Sequence, residues 1–240
     1  MTPRPAPVLA VLAFAIGATG PAASAQAPQT GGTPAAPSSS TVSAANGDIA
    51  IVTRVDALLR RTTRFRGSVS TAYAGRTVGI ERFDPLLGAW APVSTATVAA
   101  DGSYLARWRA DVLGVLRIRA VVQNPGQASA ASASPEVAVT VYRQALATWY
   151  GPGFYGRRTA CGLKMTHALM GVAHKRLACG TQVAVSYKGR RVTVPVVDRG
   201  PFARGVSYDL TSATAQALGF TVTDRVGALP VGPPPAPAAG

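Results

Sequence analysis

The stretch Gln182-Val183-Ala184-Val185-Ser186-Tyr187-Lys188-Gly189-Arg190-Arg191-Val192-Thr193-Val194-Pro195-Val196-Val197-Asp198-Arg199-Gly200-Pro201-Phe202 sets the architecture of the C-terminal part of the chain. Gln182–Tyr187 and Arg191–Val197 read as strands, and Lys188-Gly189-Arg190 between them marks a hairpin turn. Pro195 inside the second run predicts an edge or a bulge. The run ends on Asp198, and Gly200-Pro201 permits a sharp turn that holds its carboxylate at a cleft. Further on, Leu210, Ala213, Thr214, Ala217 and Leu218 follow helical spacing. They predict a short helix over Thr211 to Leu218, capped by Asp209 or Thr211 and ended by Gly219. Strands with one or two short helices over residues 146–232 predict a compact barrel.

Upstream, residues 48–143 alternate like half-buried strands. In Tyr104-Leu105-Ala106-Arg107-Trp108-Arg109, the residues Tyr104, Ala106 and Trp108 face in while Arg107 and Arg109 face out. Leu116, Ile118, Ala120 and Val122 repeat the pattern, as do Val137, Val139 and Val141, and Asp101-Gly102 supplies a turn. The expected fold of this segment is a β-sandwich loosely like immunoglobulin or fibronectin modules, with Trp90 and Trp108 in its core. The chain as a whole reads as all-β.

The termini have a different character. Arg4, the apolar run Val8 to Ile16 and the small-residue site Ala23-Ser24-Ala25 predict a signal peptide over residues 1–25. That run is too short to span a bilayer, so no membrane span is expected in the mature chain. Residues 26–47 read as an Ala/Pro/Ser linker and 233–240 as a Pro/Ala tail. The expected location is outside the cytoplasm, in the cell wall or a periplasm-like space.

The net charge is +14, from 24 Lys and Arg against 10 Asp and Glu. In an exported protein this argues for acidic wall polymers and peptide-stem carboxylates as polyanionic partners, and against nucleic acid. A solvated surface that keeps the chain soluble explains the charge equally well.

Cys161 and Cys179 are the only cysteines. An even count in an exported chain favours a disulfide. A zinc site from Cys161, His167, His174 and Cys179 is the rival reading, but the spacing matches no common zinc motif and no metal is expected. Residues 146–232 contain no glutamate, and their acids are Asp198, Asp209 and Asp224. Ordinary glycoside hydrolysis uses two carboxylates. Lytic transglycosylation needs less: one acid protonates the bridging oxygen, then accepts a proton from the substrate's own attacking hydroxyl. For Asp198 to be that acid, burial must raise its pKa, whereas Arg199 pointing at it acts the other way. Asp209 reads as a helix cap or a second acid, and His174 as an orienting partner. Trp149, Tyr150 and Tyr155 offer flat faces for sugar rings.

Residues 147–220 resemble the RlpA family, whose domain is a six-stranded double-psi β-barrel. The matching stretches are Ala147-Thr148-Trp149-Tyr150-Gly151, Tyr155-Gly156-Arg157-Arg158-Thr159-Ala160, Gly171-Val172-Ala173-His174-Lys175-Arg176-Leu177, Cys179-Gly180-Thr181, Asp198-Arg199-Gly200-Pro201-Phe202 and Asp209-Leu210-Thr211. The resemblance implies an exported protein that engages peptidoglycan glycan strands, in some members as an endolytic lytic transglycosylase, without a cofactor. By it His174 and Asp198 fall on active-site positions. Asp209 falls where expansins and some endoglucanases keep the acid of a His-Phe-Asp motif, here preceded by Ser207-Tyr208. The chain departs from enzymatic members at Leu163, where they have glutamate, and at Thr166, where they have aspartate. Two readings therefore stay open: a transglycosylase using Asp198 or Asp209 with Arg199 and the aromatics at the substrate, or a noncatalytic glycan-binding or wall-loosening module.

Overall fold

The computed structural model describes residues 40–123 and 130–233. The expected signal peptide, most of the linker and all but the first residue of the tail lie outside the described residues.

The first sheet is antiparallel, in the order β1 (Thr41–Ala45), β2 (Ile49–Arg54), β4 (Thr62–Val69), β7 (Ser103–Arg109). Facing it are β5 (Thr77–Asp84), β6 (Ala89–Thr97), β8 (Gly114–Gln123), β9 (Ala130–Ala133), the short β3 (Asp56–Leu58) and the first half of β10 (Val137–Tyr150). Period-two alternation drives the packing, because successive strand side chains point to opposite faces. Phe65, Ile49, Ile51, Tyr104, Ala106, Trp108, Ile118 and Val139 are buried between the sheets, and Arg107 and Arg109 stay outside. Tyr104 reaches across Gly67 and donates its hydroxyl to the Ala50 carbonyl at 2.7 Å. A side chain at position 67 would occupy the space of that ring.

Two expectations need correction. Thr41–Ala45 falls inside the segment read as linker, yet it is an edge strand paired along β2, with Val42 and Ala44 packed against the core. An edge strand is held mainly by backbone hydrogen bonds, so a low apolar content suffices. Trp90, expected in the core, is half-buried on the outer face, edge-on to Phe83 at 5.5 Å and 4.2 Å beneath the Arg119 guanidinium.

The barrel follows without a linker, because β10 is one continuous strand of 14 residues. Its first half pairs with β8 and β3. Its second half pairs with β14 (Tyr208–Thr211) and β15 (Asp224–Gly232). With β11 (Val172–Ala173), β12 (Gln182–Tyr187) and β13 (Arg190–Asp198), the circuit β14-β11-β13-β12-β15-β10 closes through the parallel β10–β14 pair. Six strands thus form a barrel without free edges. Inward Val183, Val185, Val194, Val196, Leu210, Val226 and Ala228 fill it.

The hairpin turn has φ of 46° at Lys188 and 84° at Gly189, the two positive values that a two-residue type I′ turn requires. Pro195 lies in a strand with neighbours on both sides, one step before Val196, where β11 starts to pair with an irregular register. The missing N–H is tolerated because β11 does not extend that far. The helix α1 (Ser212–Leu218) is capped by Thr211 and ended by Gly219 in the left-handed conformation. The two halves of the chain are further joined by Asp56 before β10, which accepts from Ser186 Oγ at 2.6 Å and pairs with Arg191 at 3.2 Å.

Candidate functional site

Register brings the site together. Ala173 on the two-residue β11 pairs with Asp198 on one side and Asp209 on the other, and Asp209 pairs in turn with Thr148 on β10. Asp198, Ala173, Asp209 and Thr148 therefore form a row across four neighbouring strands. Strands lie about 4.8 Å apart, so the two aspartate backbones stand roughly 10 Å from each other. The residue between them is the buried Ala173, so only a methyl separates the two carboxylates along the row.

Asp198 is held by donors. Its Oδ1 accepts from the Ala160 N–H at 2.8 Å and from the Arg199 N–H at 2.8 Å, and its Oδ2 accepts from the Tyr150 hydroxyl at 3.4 Å. Arg199 does not form the ion pair that its neighbouring position invites. Its guanidinium donates to the carbonyls of Leu177 at 2.6 Å and His174 at 3.3 Å.

Asp209 has a different environment. Its Oδ1 accepts from Thr148 Oγ1 at 2.7 Å. Burial raises its pKa above the ordinary carboxylate value, and the nearby charge of Asp198 raises it further, against the opposing Thr148 hydrogen bond. Burial also raises the Tyr150 phenol, with Asp198 and then Asp209 adding to the effect, so this residue remains a donor. One phenol thus feels both carboxylates.

His174 Nδ1 accepts from the N–H groups of Leu177 at 2.9 Å and Arg176 at 3.1 Å, which leaves the proton of the neutral ring on Nε2. Burial lowers its pKa, and the charges of Arg199, Lys175 and Arg176 lower it further. The ring lies 4.8 Å from that of Tyr208. Its hydrogen bond to Asp198 runs through the backbone, from the His174 N–H to the Asp198 carbonyl at 3.2 Å. The contact therefore orders the strand that carries the carboxylate.

The segment between β10 and β11 covers this end of the barrel. Leu163 packs there with Tyr150 and Tyr155 against Met165, Leu169 and Val197. Tyr155 donates to Ser212 Oγ at 3.0 Å and stacks on His167 at 3.7 Å. His167, which spacing alone marks only as a zinc candidate, is thereby part of an exposed ring surface. Trp149, Phe154 and Phe202 are exposed by 41%, 49% and 82%, and Phe154 lies edge-on to Tyr150 at 5.7 Å, whereas the Trp149 indole turns away to donate to the Thr221 carbonyl at 3.3 Å.

Cys161 and Cys179 are joined in a disulfide, so neither thiolate is available to a metal. The bridge fixes the residue next to Ala160, whose N–H is one of the donors to Asp198. Among the described residues there is no cluster of three or more His, Cys, Asp or Glu side chains placed to hold a metal ion. Replacing both cysteines by serine is expected to cost about 3 kcal/mol in stability, from the loop entropy released over 18 residues. It is also expected to weaken any activity that depends on Asp198. Melting with and without reductant checks the first effect. Unchanged melting would mean that the bridge contributes no stability.

Residues 142–232 match a family described as lytic transglycolase. The protein named probable endolytic peptidoglycan transglycosylase RlpA of Synechocystis is 44% identical over 77 residues, covering 31% of this chain and 24% of that protein. Its namesake in Aquifex aeolicus is 43% identical over 81 residues, covering 33% of this chain and 36% of the relative. The endolytic peptidoglycan transglycosylase RlpA of Campylobacter jejuni is 38% identical over 84 residues, 34% of this chain and 30% of that one. The chain thus spans between about a quarter and about a third of the length of these relatives. The closed six-stranded circuit, the row of Asp198, Ala173 and Asp209, and these likenesses converge: residues 142–232 form a barrel domain similar to the RlpA-like double-psi β-barrels.

Proposed function

We propose that the protein is an extracytoplasmic peptidoglycan-remodelling enzyme whose barrel cleaves glycan strands by lytic transglycosylation. The observation that carries this reading is the unequal pair of carboxylates. Burial and the Asp198 charge favour the protonated form of Asp209, while Asp198 is surrounded by N–H and O–H donors. Two titratable groups whose environments differ in this way divide the roles of acid and charge stabiliser.

In the proposed reaction the Asp209 carboxyl gives its proton to the bridging oxygen as the glycosidic C–O bond breaks. The Asp198 carboxylate faces the positive charge that develops on the sugar. A hydroxyl of the same sugar then closes on the anomeric carbon and returns its proton to Asp209. No water is consumed, so the product ends in an anhydro sugar. Asp198 as acid/base, read from the sequence, is thus replaced in this scheme by Asp209. His174 and Arg199 position the backbone that holds Asp198, and Tyr150 and Tyr155 serve the sugar. Leu163 has no protons to transfer. It builds the wall on which Tyr150 and Tyr155 rest.

Export through residues 1–25 and attraction of the +14 chain to acidic wall polymers belong to the same proposal. No helix among the described residues is long and apolar enough to cross a membrane. The test is mass spectrometry of purified sacculi incubated with the protein. Anhydro-ended fragments are expected from the wild type, and their loss from Asp198→Ala. Wild-type protein that sediments with sacculi but releases nothing would leave a binding module in place of an enzyme.

A further inference from the structure

The outer face of the first sheet carries arginines in register. On β4 and β7, Arg64 stands directly opposite Arg107, and on β2, Arg54 comes one residue after the Thr53–Phe65 pair and so stands beside Arg64. Like charges directly opposite one another destabilise a sheet. The next row is Val52, Arg66 and Leu105, again in register, with Val52 and Leu105 exposed by 39% and 38%. Arg109 extends the series opposite Thr62.

Of these, Val52, Arg54, Arg64, Arg66 and Arg107 line a cleft of 1290 Å³ whose far wall is the β12–β13 hairpin and the start of β15, with Lys188 and Arg225. The acids at that wall are already engaged. Asp56 holds Arg191 and Ser186, and Asp224 accepts from the Tyr187 hydroxyl at 2.9 Å and the Arg225 N–H at 2.7 Å. Against these two acids the cleft is lined by Arg54, Arg61, Arg64, Arg66, Arg107, Lys188 and Arg225, so it keeps a net positive field. It lies at the start of β13, whereas Asp198 ends that strand, about 26 Å away at 3.3 Å per residue.

We infer that this arginine-lined cleft is a second binding site, and that it takes the carboxylate-bearing peptide stems of peptidoglycan. Guanidinium forks match carboxylates bidentately. Val52 beside Arg66 offers apolar contact next to charge, which suits short peptides with small side chains better than a bare polyphosphate. The two aromatic residues that line the cleft, Tyr142 and Tyr187, are buried, so bases of a nucleic acid would find little stacking surface. The inference rests on the peptidoglycan reading above, and gives the sandwich a task of its own: holding the wall while the barrel works on the glycan.

The test is sedimentation of the full chain with intact sacculi, repeated in the presence of free stem peptides that an amidase has released. Wild type is expected to bind, to be displaced by the free peptides, and to bind less as salt rises. Arg64→Ser with Arg107→Ser is expected to lose about tenfold for intact sacculi, and its remaining binding to be unaffected by the free peptides. Arg54→Ser with Arg66→Ser repeats the measurement should the first variant fail to fold, as judged by its melting curve. Wild-type binding that free stem peptides do not reduce, or undiminished binding by the folded variants, overturns the inference. Release of anhydro-ended fragments is read separately on soluble strands. A barrel that cuts beside a cleft that does not bind, and the reverse, are thus distinguishable.

Discussion

Asp209→Asn is expected to lower anhydro-product release by about 10²- to 10⁴-fold, the range that removal of a general acid commands, and at the same time to raise the melting temperature at pH 7. The two effects have one cause. Burial first, and the Asp198 charge after it, raise the folded-state pKa of Asp209 above its unfolded value. A group shifted in this direction adds stability below its unfolded pKa, and that contribution is lost as pH rises through the folded pKa. At neutral pH, well above the ordinary aspartate value, this group is therefore a net cost to the fold. Asparagine removes the charge and still offers its carbonyl oxygen to Thr148. The melting advantage of the variant should shrink as pH falls below about 4, the ordinary range of an aspartate, where both proteins are neutral at this position. Asp198→Asn supplies the complementary result. It removes one source of the upward shift, so whatever activity remains should lose rate at a lower pH than wild type does. A pH–rate profile and melting curves at pH 3 and 7 measure all of this. An Asp209→Asn protein that retains full activity would remove Asp209 from the chemistry.

Much of this site is legible in the sequence, and what is not has definable physical causes. Asp198 at a strand end and Tyr150 in an aromatic cluster can be picked out by residue type, and Gly200-Pro201 two residues after the aspartate marks the turn. The cap and stop of the helix follow from Thr211 and Gly219, since local hydrogen bonding and a positive φ are local matters. The partner of Arg199 was not legible. Adjacent residues invite an ion pair with Asp198, but successive side chains on an extended chain point apart, and the guanidinium finds carbonyls more than 20 residues away. The division of roles between the two aspartates was hidden for the same kind of reason. It depends on burial and on a charge two strands away, which only the closed barrel creates. Likewise Trp90 and the strand Thr41–Ala45 were misread because composition reports how apolar a segment is, not which face or edge it occupies. The arginine rows needed register. Alternation shows that Arg64, Arg66 and Arg107 face solvent, but not that Arg64 stands opposite Arg107.

Gly171→Ala is expected to lower both stability and product release, and its argument starts from one crowded contact. The Gly171 N–H donates to Thr214 Oγ1 at 2.8 Å and Thr211 Oγ1 at 3.1 Å, and its carbonyl accepts from Thr214 Oγ1 at 3.0 Å and the Thr211 N–H at 3.1 Å. These buried bonds clamp the chain to the start of the helix and leave it no room to move. A Cβ at position 171 would meet both Cγ atoms of Val197. Val197 is itself fully buried and immediately precedes Asp198. Overpacking of this kind costs about 1–3 kcal/mol, which lowers the melting temperature by roughly 2–4 °C per kcal/mol in a chain of this size. Product release should fall with it, because the displaced residue adjoins the carboxylate. Val197→Ala alone opens a small cavity and is also expected to destabilise. Combined with Gly171→Ala it removes the two shortest contacts and leaves only the Cβ of residue 197 at 3.0 Å, so the double variant should melt above the value that the two single losses would give by addition. That sign of coupling distinguishes a steric cause from lost hydrogen bonds or altered chain flexibility, which removal of the valine methyls would not relieve. Strict additivity of the two losses would mean that the glycine is needed for some reason other than the space taken by Val197.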